Sequence, residues 1–155
     1  MKKIVWIALV ILLYIGFHYL IELLALSSVA KIKVTTSSSY QEPIRVYYSS
    51  IISKDNFSEK RSISSTWSKN GEKSTHLVHL NNRIFRGLRI DPLKKEGEAK
   101  IYSIEILSHF GDPLFFDAEG ILNSFFPHNI AAIKREGEFV KIRSASSDPQ
   151  LILSS

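Results

Sequence analysis

No cysteine occurs among the 155 residues. That excludes disulfide staples, thiol nucleophiles and zinc–thiolate centres, and leaves stability to a packed core. It does not fix a compartment, because an exported domain with an adequate core needs no staple. Three catalytic signatures are also missing: a phosphate-cradling glycine-rich loop, a G-x-S-x-G elbow and an H-E-x-x-H pair. There is no internal repeat of fixed period. Nor is there a block of one charge sign. The net charge is +5, but Lys94-Lys95 is followed by Glu96 and Lys134-Arg135 by Glu136. A nucleic-acid surface gathers its cations into a stripe that neutralises a run of phosphates. Interspersed charge reads instead as a solvated, mildly basic surface, so no nucleic-acid partner is expected, and no cofactor.

What the sequence does have is one long apolar run. Residues 4–26 read IVWIALVILLYIGFHYLIELLAL. As a helix this segment is ~35 Å long, enough to cross a ~30 Å hydrocarbon core with modest tilt. A helix also satisfies its own backbone polar groups in lipid. Trp6 and Tyr19 fall where amphipathic aromatics favour the two interfaces. A cleaved signal peptide is the competing expectation, with Lys2-Lys3 as its basic end and Ser28-Val29-Ala30 as a small-x-small site. Its apolar core is normally ~7 to 15 residues, shorter than this one, which favours an uncleaved anchor. Lys2 and Lys3 argue for a cytoplasmic tail over residues 1–3, against which Lys31 and Lys33 follow soon after the helix. The expectation is a single-pass protein, N-terminus inside, with residues 31–155 outside the cytoplasm. His18 and Glu22 are four apart and share one helical face. They suit an interfacial pair, or a contact with the helix of a membrane partner.

Beyond Ser27 the pattern changes to short alternating runs. KIKVTT (31–36), PIRVYYSS (43–50), STHLVHLN (74–81), IFRGLRID (84–91), GEAKIYSIEIL (97–107), GEFVKIRSA (137–145) and QLIL (150–153) have strand character. Asn70-Gly71, Asp91-Pro92, Gly111-Asp112-Pro113, Glu136-Gly137 and Asp148-Pro149 mark the joints. ILNSFF (121–126) alone suggests a helical turn. Strands at short regular spacing without amphipathic helices predict a mainly β domain, an antiparallel sandwich of jelly-roll type.

Few residues point to chemistry. His76 and His79 have a metal-like spacing, but three apart in a strand they face opposite ways. Asp112, Asp117 and Glu119 form an acidic cluster of the oxygen-ligand type that calcium takes, without EF-hand spacing. Trp67, next to an expected hairpin turn at Asn70-Gly71, is the best aromatic plate for a sugar ring; Tyr102 is a second. Tyr47 and Tyr48 are consecutive in a strand, so one of them belongs to the core. Leu88 and Ile90 face one way and Arg89 and Asp91 the other, which lets Arg89 and Asp91 pair or bind a polar ligand.

LRIDPLKKEGEAKIYSIEIL (88–107) resembles a segment of small galactose-binding-like β-sandwich ectodomains of bacterial envelope membrane proteins. ILNSFFPHN (121–129) and IRSASSDPQLIL (142–153) resemble the later part of such domains, so the resemblance covers about residues 40 to 153. It implies an inner-membrane protein with a periplasmic or extracellular domain, linked to surface-polysaccharide synthesis or modification. Such domains commonly precede many membrane helices carrying a transferase, whereas this sequence ends at Ser155. Three functional expectations follow. The first is a non-catalytic module that binds a glycan or a glycan-assembly enzyme through Trp67, Arg89, Asp91 and Tyr102. The second is an accessory subunit, or a truncated remnant, of a larger multi-span protein, held through His18 and Glu22. The third is an envelope hydrolase using Asp117 and Glu119.

Overall fold

The computed structural model describes residues 2–26, 29–39, 43–50, 57–67, 71–80, 85–108, 112–144 and 148–154. It opens with α1 (Lys2–Leu26), 25 residues long. Every described side chain in it, those of Trp6, Ile7 and residues 9–20, is exposed. Among the described residues no helix is long and apolar enough to cross a membrane. Those side chains make a shorter run than the ~17 to 25 apolar residues of a span. The helix expected at the N-terminus is therefore present, and its crossing of a bilayer is argued from its sequence.

The rest is mainly β. One sheet has the order β4-β1-β6-β10-β9, with β7 also paired to β6; the other has the order β3-β2-β5-β11-β8. In the first are β1 (Val29–Ser38), β4 (Ser74–His79), β6 (Gly97–Ser108), β7 (Leu114–Phe116), β9 (Ala132–Glu136) and β10 (Phe139–Ser144). In the second are β2 (Pro43–Ser50), β3 (Ser62–Trp67), β5 (Phe85–Asp91), β8 (Phe125–His128) and β11 (Gln150–Ser154). All pairings are antiparallel. The chain passes back and forth between the sheets, which lie face to face as a sandwich.

Alternation fixes what lies between them. Ile32, Val34, Val78, Ala99, Ile101, Ile104, Ile106, Val140 and Ile142 come from the first sheet, and Ile44, Val46, Tyr48, Leu88, Ile90, Phe125 and Leu151 from the second. The short helix α2 (Ala118–Ser124) adds Ala118 and Ile121. In β6, Ile101 and Ile104 are three apart yet both buried. The register explains it: Thr36 faces Ile101 and Thr35 faces Ser103, so Tyr102 is the extra residue of a bulge.

Several sequence expectations are corrected here. The first strand begins at Val29, two residues before the expected start. β3, β7, β8 and β9 were not foreseen, and ILNSFF divides between the end of α2 and the start of β8. Asn70 lies outside the described residues, but the turn it was assigned to joins no hairpin: β3 and β4 belong to different sheets. Gly71 there has φ 73° and donates to the Ser38 carbonyl at 2.8 Å. The Glu136-Gly137 joint does make a hairpin, with Glu136 paired to Phe139 and Gly137 at φ 62°. A glycine with positive φ at the first central position is what a two-residue turn of this kind requires.

Candidate functional site

The outer face of the second sheet carries a connected set of polar side chains. β2 and β5 pair so that Arg45 lies opposite Asp91 and Tyr47 opposite Arg89. Val46, Leu88 and Ile90 point inward, so these four side chains share the other face. With Glu59, Leu93, Lys94 and Asp148 they line an open depression of about 400 Å³.

Arg89 is its centre. Its Nε donates to Asp91 Oδ1 at 2.7 Å and its Nη2 to Oδ2 at 2.6 Å, a two-bond fork. Nη2 also reaches Asp148 Oδ1 at 2.8 Å, and Gln150 Nε2 donates to the other oxygen of Asp148. The guanidinium lies over the Tyr47 ring, 4.4 Å from its centroid. Such a stack on top of a bidentate carboxylate is an arrangement that arginine makes and lysine cannot. Asp91 is only 4% exposed. Burial pushes its carboxyl above the ordinary value, more than the Arg89 bonds and charge pull it down. Burial likewise pulls the Arg89 guanidinium down, and the bonds to Asp91 more than restore it.

A second set of bonds is looser. The Tyr47 hydroxyl donates to Glu59 Oε1 at 2.8 Å and accepts from Arg45 Nη1 at 3.3 Å. Arg45 Nη1 also stands 3.4 Å from each Glu59 oxygen. Burial raises the Tyr47 hydroxyl's pKa, so it holds its proton well past neutrality. The Tyr47 bond is the chief cause that raises Arg45 in turn.

Aromatic surface lies on the same face. Register carries one row outward across the sheet: Tyr47 to Arg89, Arg89 to Ile152, Ile152 to Phe126. Strands are ~4.8 Å apart, so Phe126 lies about 10 Å from the Arg89 position. Phe126 is 63% exposed.

The sequence candidates fare unequally. Arg89 and Asp91 are brought together. Tyr102 is on the other sheet, packed with Phe139 at 5.4 Å between centroids and capped by Lys73 Nζ at 4.0 Å. Trp67 ends β3 opposite Pro43, and its side chain lies outside the described residues. Tyr48, not Tyr47, joins the core cluster. Asp117 caps α2, accepting from the Gly120 amide at 2.8 Å, and Glu119 pairs with Arg135 at 3.0 Å. Among the described residues no group of three or more histidine or acidic side chains could hold a metal ion. His76 is buried against the Ser74 hydroxyl at 3.0 Å, while His79 is exposed. His18 stacks on Tyr14 with centroids 6.4 Å apart, and the side chain of Glu22 is outside the described residues.

Arg45, Glu59, Asp148 and Phe126 were missed. Glu59 reaches the site from a one-turn 3₁₀ helix (Glu59–Arg61) and Asp148 from just before β11, which no local pattern announces. Phe126 had a signal: Phe125 and Phe126 are consecutive, so in a strand one must face outward. No family model matches the chain, and none of the curated proteins does.

Proposed function

We propose that the protein is a membrane-anchored, non-catalytic binding module that holds a glycan on the outer face of its second sheet. The observation that carries this is the pairing, on one surface, of an exposed aromatic ring with a polar depression. Phe126 offers a flat apolar face to a pyranose ring. About 10 Å away, Arg45, Tyr47 and Asp148 offer donors and acceptors to hydroxyls. Arg89 and Asp91 hold that floor rigid, which limits the ordering cost of binding.

Anchoring is supported by α1. A helix of this sequence with exposed apolar side chains needs an apolar environment, and residues 4–26 have the length for a bilayer. β1 begins three residues after α1 ends and runs away from it. β2 returns, so Pro43 and Arg45 lie towards the end of the sandwich far from the anchor. The passage of strands between two antiparallel sheets suits the jelly-roll description, and with it the galactose-binding-like resemblance and an envelope setting. The carboxylates of the hydrolase reading are engaged separately, Asp117 as the cap of α2 and Glu119 with Arg135.

The test is binding of the full chain, reconstituted in lipid nanodiscs, to an array of bacterial polysaccharides. Selective binding that is lost in Phe126→Ala or Arg45→Met supports the proposal. A folded protein that binds no glycan overturns it, and favours a subunit held through α1 by a larger membrane protein.

A further inference from the structure

The depression holds two arginines in opposite states. Arg89 makes three short bonds, at 2.6, 2.7 and 2.8 Å. Among the described residues Arg45 makes none of that quality: its contacts to Tyr47 and Glu59 are stretched to 3.3 and 3.4 Å, and its Nε is buried without a partner. Charge-assisted N–H···O bonds normally close to ~2.7–2.9 Å. Arg45 therefore has hydrogen-bonding capacity that the folded chain does not use.

The group over it is Glu59, whose side chain is 74% exposed. It is held by the Tyr47 hydroxyl at 2.8 Å and belongs to a one-turn 3₁₀ helix (Glu59–Arg61) rather than to the sheet. A side chain so exposed re-enters water at little cost, because its pairing with Arg45 is a weak surface pair. Tyr47 and Arg45 are otherwise fixed: Tyr47 is buried under Arg89, and both lie on β2 beside Asp91.

We propose that this corner is a carboxylate site, that its ligand is an acidic sugar of the uronic-acid type, and that Glu59 occupies the ligand's place when the site is empty. The proposal rests on the glycan reading of this face and narrows it. On binding, the ligand carboxylate accepts the Tyr47 O–H and the Arg45 Nη1–H, and Glu59 swings out. A neutral sugar cannot make that exchange, because it offers Arg45 no charge to replace that of Glu59. The exchange replaces the Tyr47–Glu59 bond like for like and turns the stretched Arg45 contact into a short charged one.

The experiment uses the full chain in nanodiscs and titrates galacturonic-acid oligomers against the same oligomers with their carboxyls methyl-esterified. Esterification keeps the shape and removes the charge. The wild type should bind the acid form about tenfold more tightly, a difference that added salt reduces. Glu59→Gln should tighten the acid form about threefold or more and leave the ester unchanged, since it removes a competing anion. Arg45→Met should lose binding of the acid form, and Tyr47→Phe should reduce the preference. Equal binding of acid and ester forms by the wild type overturns the carboxylate site while leaving the glycan reading intact. So does a Glu59→Gln variant that weakens the acid form. Binding of a glutamate-rich peptide with no uronate overturns the sugar assignment. Failure on every glycan, neutral ones included, removes both proposals.

Discussion

Arg89 grips the Asp91 carboxylate with two bonds, at 2.7 and 2.6 Å, from two positions away on the same strand. Both side chains project from the outer face of β5, which leaves Leu88 and Ile90 wholly buried on the other. The pair is thus a surface feature by direction and a buried one by exposure, because Arg89 packs onto the Tyr47 ring and Asp148 bonds to it from the side.

Breaking one half of such a pair leaves a carboxylate with little solvent and no partner. Arg89→Met is expected to destabilise the domain by about 3 kcal/mol. Removing both charges, in Arg89→Met with Asp91→Leu, should return most of that loss. Chemical denaturation followed by circular dichroism measures it. A double variant no more stable than the single one would contradict this account.

The same pair sets a pH dependence. Burial holds the Asp91 carboxyl above its ordinary value of 3.8, so near that pH the folded chain binds this proton more tightly than the unfolded chain does. The contribution of Asp91 to stability is therefore greatest below 3.8 and is lost as pH rises through the folded value. In Arg89→Met the pull of the guanidinium is gone and the folded value rises further. The destabilisation by Arg89→Met should then be largest near neutrality and shrink as the medium is acidified. Denaturation midpoints of both proteins across the acidic range decide it; a difference that grows on acidification sinks the idea.

Gly137, at φ 62°, turns β9 into β10. An added Cβ meets nothing within 4 Å there, so the effect of Gly137→Ala is backbone strain alone. It is expected to cost about 1 kcal/mol, and Gly137→Asn less, since asparagine tolerates this region better. A shift in thermal midpoint of the same size for both would argue against this.

Asp117 and Asp112 separate the two readings of the acidic cluster. Asp117→Ala removes an N-cap bond and should lose about 1 kcal/mol; Asp112 is exposed, and Asp112→Ala should change stability by less than about 0.5 kcal/mol. Added calcium should alter neither variant nor the wild type. A calcium-dependent rise in the wild-type midpoint, absent from both variants, would restore the metal site.

Much of this could be read from the chain, for a definite reason. Seven strands have enough β-branched and aromatic residues at alternate positions to declare themselves, and the facing of Arg89 and Asp91 follows from the same alternation. The missed strands lack that pattern. SISSTW is mostly hydroxylic, LFF is three residues long, FFPH contains a proline tolerated because β8 is an edge strand, and AIKRE is largely exposed. Which tyrosine of Tyr47-Tyr48 faces inward was undecidable locally, because both are amphipathic. The site draws on residues from Arg45 to Asp148, with 59 positions between the partners of the Arg89 bond to Asp148, and only the paired sheet brings them together.

The bulge at Tyr102 has a consequence for which changes in length the chain can bear. On either side of it β6 keeps its own parity: Ala99 and Ile101 before, Ile104 and Ile106 after, all turned inward. Deleting Tyr102 would remove the extra residue and leave all four in unbroken alternation, still facing inward, whereas deleting Lys100 or Glu105 would set neighbouring aliphatic side chains on opposite faces. The strand resembles two rulers joined half a division apart. Within β6, a single-residue deletion should therefore be tolerated best at this joint and least on either side of it, where the core behind the strand fixes the spacing.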